Sequence, residues 1–267
     1  MRTDCLGPGP ASLFLFAHQD DEFAIFQQID TCLRSGRTVY CAYATDGAAT
    51  ARAVVRNLES LSVLSDMGVQ KNNVFFFGCD LNIGDGKLHE KAAEAALWLN
   101  DFLDSHPEIA TCYVPAWEGG HPDHDLLHAI TVRAMQTRGR LDDIRQFSLY
   151  HGHGCPAPLF KIQAPLKKNG AVELTPIQLR DGLRYLGYCL SYRSQWRTWA
   201  ALFPLLCLRY LIGGVQCLQR VDPVRLSEPP HAGRLYYEAR GFFTWQEMNR
   251  VLTHANLTCR KYEWNDR

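Results

Sequence analysis

The chain has 267 residues and a mass of 30.3 kDa, with 28 basic and 28 acidic side chains and so no formal net charge. Hydrophobic residues make up 46% and charged residues 21%, which excludes disordered, collagen-like and low-complexity classes. A neutral molecule has no overall field with which to gather a polyanion, so no nucleic-acid partner is expected.

The first ten residues hold no apolar stretch of export-signal length. The ten cysteines are scattered and form no CxxC pair, which excludes a zinc ribbon or a thioredoxin-like motif. Several, such as Cys41 in Val39-Tyr40-Cys41-Ala42-Tyr43, sit in apolar runs where cysteine packs as a small hydrophobe. A cytoplasmic chain with reduced thiols is the expectation.

Ser12 to Ala17 is a short apolar run of strand length, and it stops abruptly at His18-Gln19-Asp20-Asp21-Glu22. Residues 23–34 read as a helix stopped by Gly36. Residues 38–44 read as a second buried strand, closed by the turn Thr45-Asp46-Gly47. A helix over 52–67 and a third strand over 73–77 follow. After Gly84-Asp85-Gly86 come an alanine-rich helix over 89–103, a fourth strand over 110–115, a helix over 124–137 and a fifth strand over 146–151. Strand–helix alternation with nearly continuous apolar strands predicts an α/β fold, a mostly parallel sheet covered on both faces. One domain spans 1–267, with a core over about 12–155 and a helical, pocket-shaping part over about 156–267. In that second part Leu174-Thr175-Pro176 reads as a helix start, 185–215 as helix, 233–244 as a short strand and 245–255 as an amphipathic helix.

Two clusters carry chemistry. The first follows the first strand, and the second, His121-Pro122-Asp123-His124, follows the fourth. Open α/β sheets bind ligands outside the carboxyl ends of their strands, so both clusters should face one crevice. A catalytic zinc takes about three protein ligands and keeps one position open. His18, Asp21 and His124 supply two imidazoles and a carboxylate, and Asp20 is left as a base. Pro122 suits the first position of a helix, which places His121 just before it and His124 in its first turn. Asp123 is then placed to set the tautomer of His121. Either cluster alone reads as well as a helix cap or a turn. Two at equivalent strand ends do not, because burying so many ionisable groups without a metal is costly.

These residues resemble a known family. Ala17 to Glu22 is similar to the AHPDDE motif, with Gln19 in place of Pro, and residues 121–124 are similar to the HPDH motif of the LmbE/PIG-L metal-dependent N-deacetylases. Thr45-Asp46-Gly47 resembles the family's turn after the second strand, and Arg52 and Glu59 resemble its Arg and Glu on the next helix. Tyr192-Arg193-Ser194-Gln195 resembles an H-x-S-Q element with Tyr192 in place of His. The resemblance implies a Rossmann-like three-layer sandwich and a Zn2+ or other divalent ion on His18, Asp21 and His124. It implies Asp20 as general base, His121 as acid or electrostatic stabiliser, and removal of acetate from an N-acetylated sugar, small or lipid-linked. Some members carry a Tyr two residues before the first His of the second motif; here that position is Gly119.

Other residues are weaker candidates. Arg52, Trp117 and Asp46 are expected at the substrate site, with Glu118 beside them. A solvated Arg, a packing Trp and a simple turn are the competing readings. His128 lies on the His124 side of its helix, and His151 and His153 flank Gly152 at a strand end. Residues 199–218 do not read as a membrane span, because Pro204, Arg209 and Gly213-Gly214 interrupt them. Residues 192–225 alternate five arginines with Trp and Leu. They form either a buried helical hairpin or a face that meets a membrane surface. Asn256-Leu257-Thr258 matches a glycosylation sequon, which matters only after export. Hydrolysis of another N-acyl amide and non-catalytic sugar binding are the alternative functions.

Overall fold

A computed structural model describes residues 9–49, 51–156, 159–212 and 214–255; Cys5, Cys259 and the 256–258 sequon lie outside them. Nine strands are described: β1 Ala11–Phe16, β2 Thr38–Tyr43, β3 Val74–Phe75, β4 Ile109–Pro115, β5 Ile144–Phe147, β6 Tyr150–His151, β7 Lys161–Ile162, β8 Val172–Pro176 and β9 Val215–Arg220. The α-helices are α1 Phe26–Arg34, α2 Ala53–Met67, α3 Phe77–Asp80, α4 Ala92–Ser105, α5 Pro122–Gln136, α6 Leu179–Cys189, α7 Trp196–Leu211, α8 Tyr236–Ala239 and α9 Trp245–His254.

The main sheet has seven strands in the order β3-β2-β1-β4-β5-β9-β8. Its first five are parallel, and β9 and β8 add to the β5 edge as antiparallel strands. Alternation along β1 explains the layering. Leu13 and Leu15 point to one face, where α4, α5 and α9 pack; Phe14 and Phe16 point to the other, where α1, α2, α6 and α7 pack. A strand buried on both sides is apolar at nearly every position, as β1 is but for Ser12, whose hydroxyl accepts from Arg37. The expected α/β fold with a mostly parallel, helix-covered sheet is the observed one.

The second half departs from expectation. Residues 172–176 are a strand, not a helix start, because they pair with β9 at the sheet edge, where Pro is tolerated. The helix expected over 185–215 is broken into α6 and α7. Ser194 donates its backbone N–H (2.8 Å) and its hydroxyl (2.6 Å) to the Glu59 carboxylate, which pulls the chain out of helix between them. Its last residue instead opens β9. That strand escaped the apolar pattern because buried Gln216 and Gln219 satisfy backbone carbonyls of Ala24, Leu166 and Gly170. Residues 233–244 contain the short helix α8 in place of a strand, and the third strand is only two residues long. No helix among the described residues is long and apolar enough to cross a membrane.

Candidate metal centre

The segments after β1 and β4 meet at the carboxyl ends of these neighbouring strands. His18 Nδ1 lies 3.2 Å from His124 Nε2, and His124 Nε2 lies 3.1 Å from Asp21 Oδ1. Asp21 is fixed by the backbone: its Oδ2 accepts from the N–H groups of Ala17 (3.0 Å) and His18 (2.8 Å). Ligand atoms around one small tetrahedral ion with bonds of about 2.0–2.1 Å sit about 3.3 Å apart, so this donor set fits a zinc-sized divalent ion.

His18 is shared with a second group. Its Nε2 lies 3.2 Å from Asp123 Oδ2 and 3.3 Å from Asp85 Oδ1, with His121 alongside. One imidazole therefore faces two sets of partners through its two nitrogens. An ion on Nδ1 leaves Nε2–H to donate to carboxylates, the usual arrangement behind a metal-bound histidine. Burial disfavours the charged form of His18, but Asp85, Asp123 and Asp21 outweigh it and raise its pKa well above 6.5. A divalent ion answers the same excess of negative charge.

Asp123 departs from its expected role. Its carboxylate serves His18 and accepts from the backbone N–H groups of Gly86 (2.7 Å) and Leu88 (3.1 Å). Its backbone N–H, not its carboxylate, fixes the tautomer of His121 by donating to Nδ1 at 3.3 Å. Nε2 is thereby the protonated nitrogen. Burial and the neighbouring His18 lower the His121 pKa to about 4, so the ring is neutral at neutral pH.

Asp20 stands next to the centre in a left-handed backbone conformation, φ 115°, uncommon for a residue other than glycine. Its amide donates to Glu22 Oε2 (2.8 Å), and Glu22, fully buried, also accepts from Tyr43 Oη. Arg56 donates to Asp20 Oδ1 (2.9 Å) and to the carbonyls of Gln19 and Gly47. Burial raises the Asp20 pKa to about 7; Arg56 opposes that rise, and Asp21 and Glu22 add to it.

Residues 13–135 match the family described as PIG-L, GlcNAc-PI de-N-acetylase. They form a PIG-L (LmbE-like) deacetylase-family domain. No curated protein matches the chain in sequence. Among solved structures the chain is similar to the A40926 pseudoaglycone deacetylase Dbv21, with a TM-score of 0.58 and 16% identity over 80% of this chain and 97% of that one. It is similar to a zinc-inhibited form of teicoplanin deacetylase Orf2, with a TM-score of 0.57 and 13% identity over 79% and 99%. It is also similar to the N,N'-diacetylchitobiose deacetylase of Pyrococcus horikoshii, with a TM-score of 0.52 and 16% identity over 86% and 91%.

Within the PIG-L domain three substrate-site expectations need correction. Arg52 is exposed at the start of α2, and the arginine at the site is Arg56, one turn further on. Trp117 is only 1% exposed, packs against Trp245 and donates its indole N–H to Glu228 O, so its faces belong to the core. Asp46 reaches the site indirectly: its Oδ1 accepts the amide of Asp85 at 3.0 Å and so anchors the loop that carries this carboxylate. Glu118 is fully buried and ties together the amides of Leu149 and Tyr150 and the Ser148 hydroxyl.

Among the histidines, His128 bonds Pro115 O, and His151 bonds Ala164 O; neither joins the metal groups. Gln19, where the family motif has Pro, donates to Asn57 Oδ1 at 2.7 Å and links the motif to α2. Tyr192 is buried against Trp199.

Besides Arg56, two residues were missed from sequence. Asp85 carried a signal, since it sits between two glycines in a loop after the third strand, but nothing local marked it as a partner of His18. Tyr150 carried none. Its ring packs edge-on to His124 with centroids 5.7 Å apart, and its phenol pKa is raised by burial and then by Asp21, Tyr236 and Asp85. It lines a cleft of about 390 Å³ with Phe160, Arg197, Leu202, Tyr236 and Arg240.

Proposed function

We propose that the chain is a divalent-metal-dependent hydrolase that removes acetate from an N-acetylated sugar, of the N-acetylglucosaminyl-glycoconjugate type, with zinc as the first ion to test. The observation that carries this reading is the convergence of His18 Nδ1, His124 Nε2 and Asp21 Oδ1 beside the strained, half-buried Asp20. The PIG-L domain supports the reaction class, and the solved deacetylases support the sugar.

An ion held by His18, Asp21 and His124 supplies Lewis acidity and activates water. The rest falls to the chain. Arg56 holds Asp20 by Oδ1, which leaves Oδ2 to take the proton of the attacking water and later deliver it to the departing amine. His121, protonated on Nε2, donates to the oxygen on which negative charge develops. Tyr150 adds a phenol on the His124 side of the cleft and fills the role that Gly119 cannot. Tyr150→Phe should lower kcat by roughly a hundredfold with metal content unchanged. An unchanged kcat would make Tyr150 a wall of the cleft and nothing more.

The decisive experiment measures acetate release from a panel of N-acetylglucosaminides, before and after chelation and after reloading with zinc and other divalent ions. Because one similar deacetylase was solved in a zinc-inhibited form, more than one metal belongs in the panel. Release that chelator abolishes and metal restores is expected. No release from any member, or release indifferent to chelator, would defeat the proposal. The apolar walls Phe160, Leu202 and Phe242 also favour a second reading, a longer N-acyl group on the same amine. A series of N-acyl chain lengths separates the two.

A further inference from the structure

The outward side of the α6–α7 hairpin is apolar where a solvated surface calls for charge. Trp199, Leu202, Leu206 and Tyr210 of α7 are buried in the core. On its other side Leu205, Leu208, Leu211 and Ile212 are 39%, 57%, 42% and 73% exposed. Leu179 and Leu183 of α6 are 59% and 56% exposed, and Trp196 at the start of α7 is 64% exposed. A helix that is apolar all round is ordinarily covered on every side. Large apolar groups gathered on one hairpin mark a surface that meets something.

The charge pattern indicates what. Between Gly182 and Val221 the chain has no Asp, Glu or Lys and five arginines. Arg184 is tied to Asp30 and Asp181, Arg220 to Asp142, and Arg209 to backbone carbonyls. Arg180, Arg193 and Arg197 are exposed and pair with no carboxylate among the described residues. We propose that this face, α6 and α7 with the turn between them, docks on an anionic phospholipid membrane. The leucines and Ile212 enter the acyl boundary, Trp196 lies at headgroup level, and the free arginines meet lipid phosphates. A second copy of the chain fits less well, since a symmetric contact would set Arg193 and Arg197 against their own kind with no acid to answer them.

The structure narrows the segment expected from sequence, 192–225. Residues 215–220 are β9, inside the sheet, and Arg225 is buried and bonded to Glu228 and Pro230 O. The hairpin also borders the cleft that Tyr150 lines, because Arg197 and Leu202 line it too. Docking on this face brings the cleft mouth to the headgroup layer. The proposal uses no residue of the metal centre, so it stands or falls apart from the hydrolase reading.

The test is sedimentation of the full chain with vesicles of phosphatidylcholine alone and of phosphatidylcholine with phosphatidylserine. Binding is expected to the second kind only and to weaken with salt. Arg193→Ala with Arg197→Ala should weaken it by roughly tenfold or more. Leu205→Glu with Leu208→Glu should abolish it. Both positions are exposed, so the circular dichroism spectrum and acetate release from a soluble sugar should stay unchanged. Trp196→Phe should remove the blue shift in tryptophan emission that vesicles produce. Three outcomes overturn the proposal: no binding to the anionic vesicles, equal binding by all variants, or a dimer in solution that the double glutamate variant dissociates.

Discussion

Asp20→Asn should lower kcat by roughly a hundred- to ten-thousandfold and leave the protein folded and loaded with metal. Asparagine is the informative replacement because of the backbone. Residue 20 has φ 115°, and Asn, like Asp, tolerates positive φ where most side chains do not. The amide oxygen also keeps an acceptor for Arg56, so the buried guanidinium does not lose its partner. What disappears is the capacity to take a proton. Metal content by atomic absorption and the thermal midpoint should match the parent while acetate release collapses. A variant that turns over at the parent rate would place the base elsewhere in the cleft. A variant that loses its metal would make residue 20 a ligand.

The convergence of His18, Asp21 and His124 was legible because they sit inside two compact motifs, each at the end of an apolar strand. The rule that open sheets bind ligands at strand ends then joins segments more than a hundred residues apart. Arg56 was not legible. Arg52 and Arg56 are four residues apart and would share one face of a helix, so spacing cannot choose between them; Arg52 is the extended residue just before α2, and Arg56 lies inside it. Only the packing of α2 decides, and it selects Arg56, which also stands three residues before Glu59. Trp117 failed for a related reason. An aromatic residue just before a catalytic motif suits stacking on a sugar, but the sheet layer already claims its ring. Tyr150 lies in a separate two-stranded piece whose approach to His124 depends on Glu118 holding its amide, a contact over 32 residues that no local pattern encodes. In the fold, the parallel half was readable from apolar runs. The antiparallel edge was not, since β8 is mostly exposed and β9 buries two glutamines.

His124→Ala and Asp85→Asn, compared side by side, locate the ion. Two sets of potential ligands share His18: His124 and Asp21 on its Nδ1 side, and Asp85, Asp123 and His121 around it. In the first set His124 Nε2 lies 3.2 Å from His18 Nδ1 and 3.1 Å from Asp21 Oδ1, close to the spacing of a tetrahedral site, with Asp21 pre-oriented by two backbone amides. In the second, His121 Nδ1 is already occupied by the amide of Asp123, and both Asp123 oxygens accept backbone N–H groups. Those groups are committed to one another. Removing His124 therefore takes away one of three ligands, and the chain should retain no stoichiometric metal after dialysis and show no acetate release above background. Asp85→Asn keeps an amide oxygen behind His18 but removes its charge there and towards Arg56, a loss that typically weakens metal binding by about 10–100-fold. That variant should still load fully at raised metal concentration and recover turnover. The opposite pattern, metal lost with Asp85 and kept without His124, would move the ion to the other nitrogen of His18. Asp20 would then no longer flank it, and the assignment of the base would fail with it.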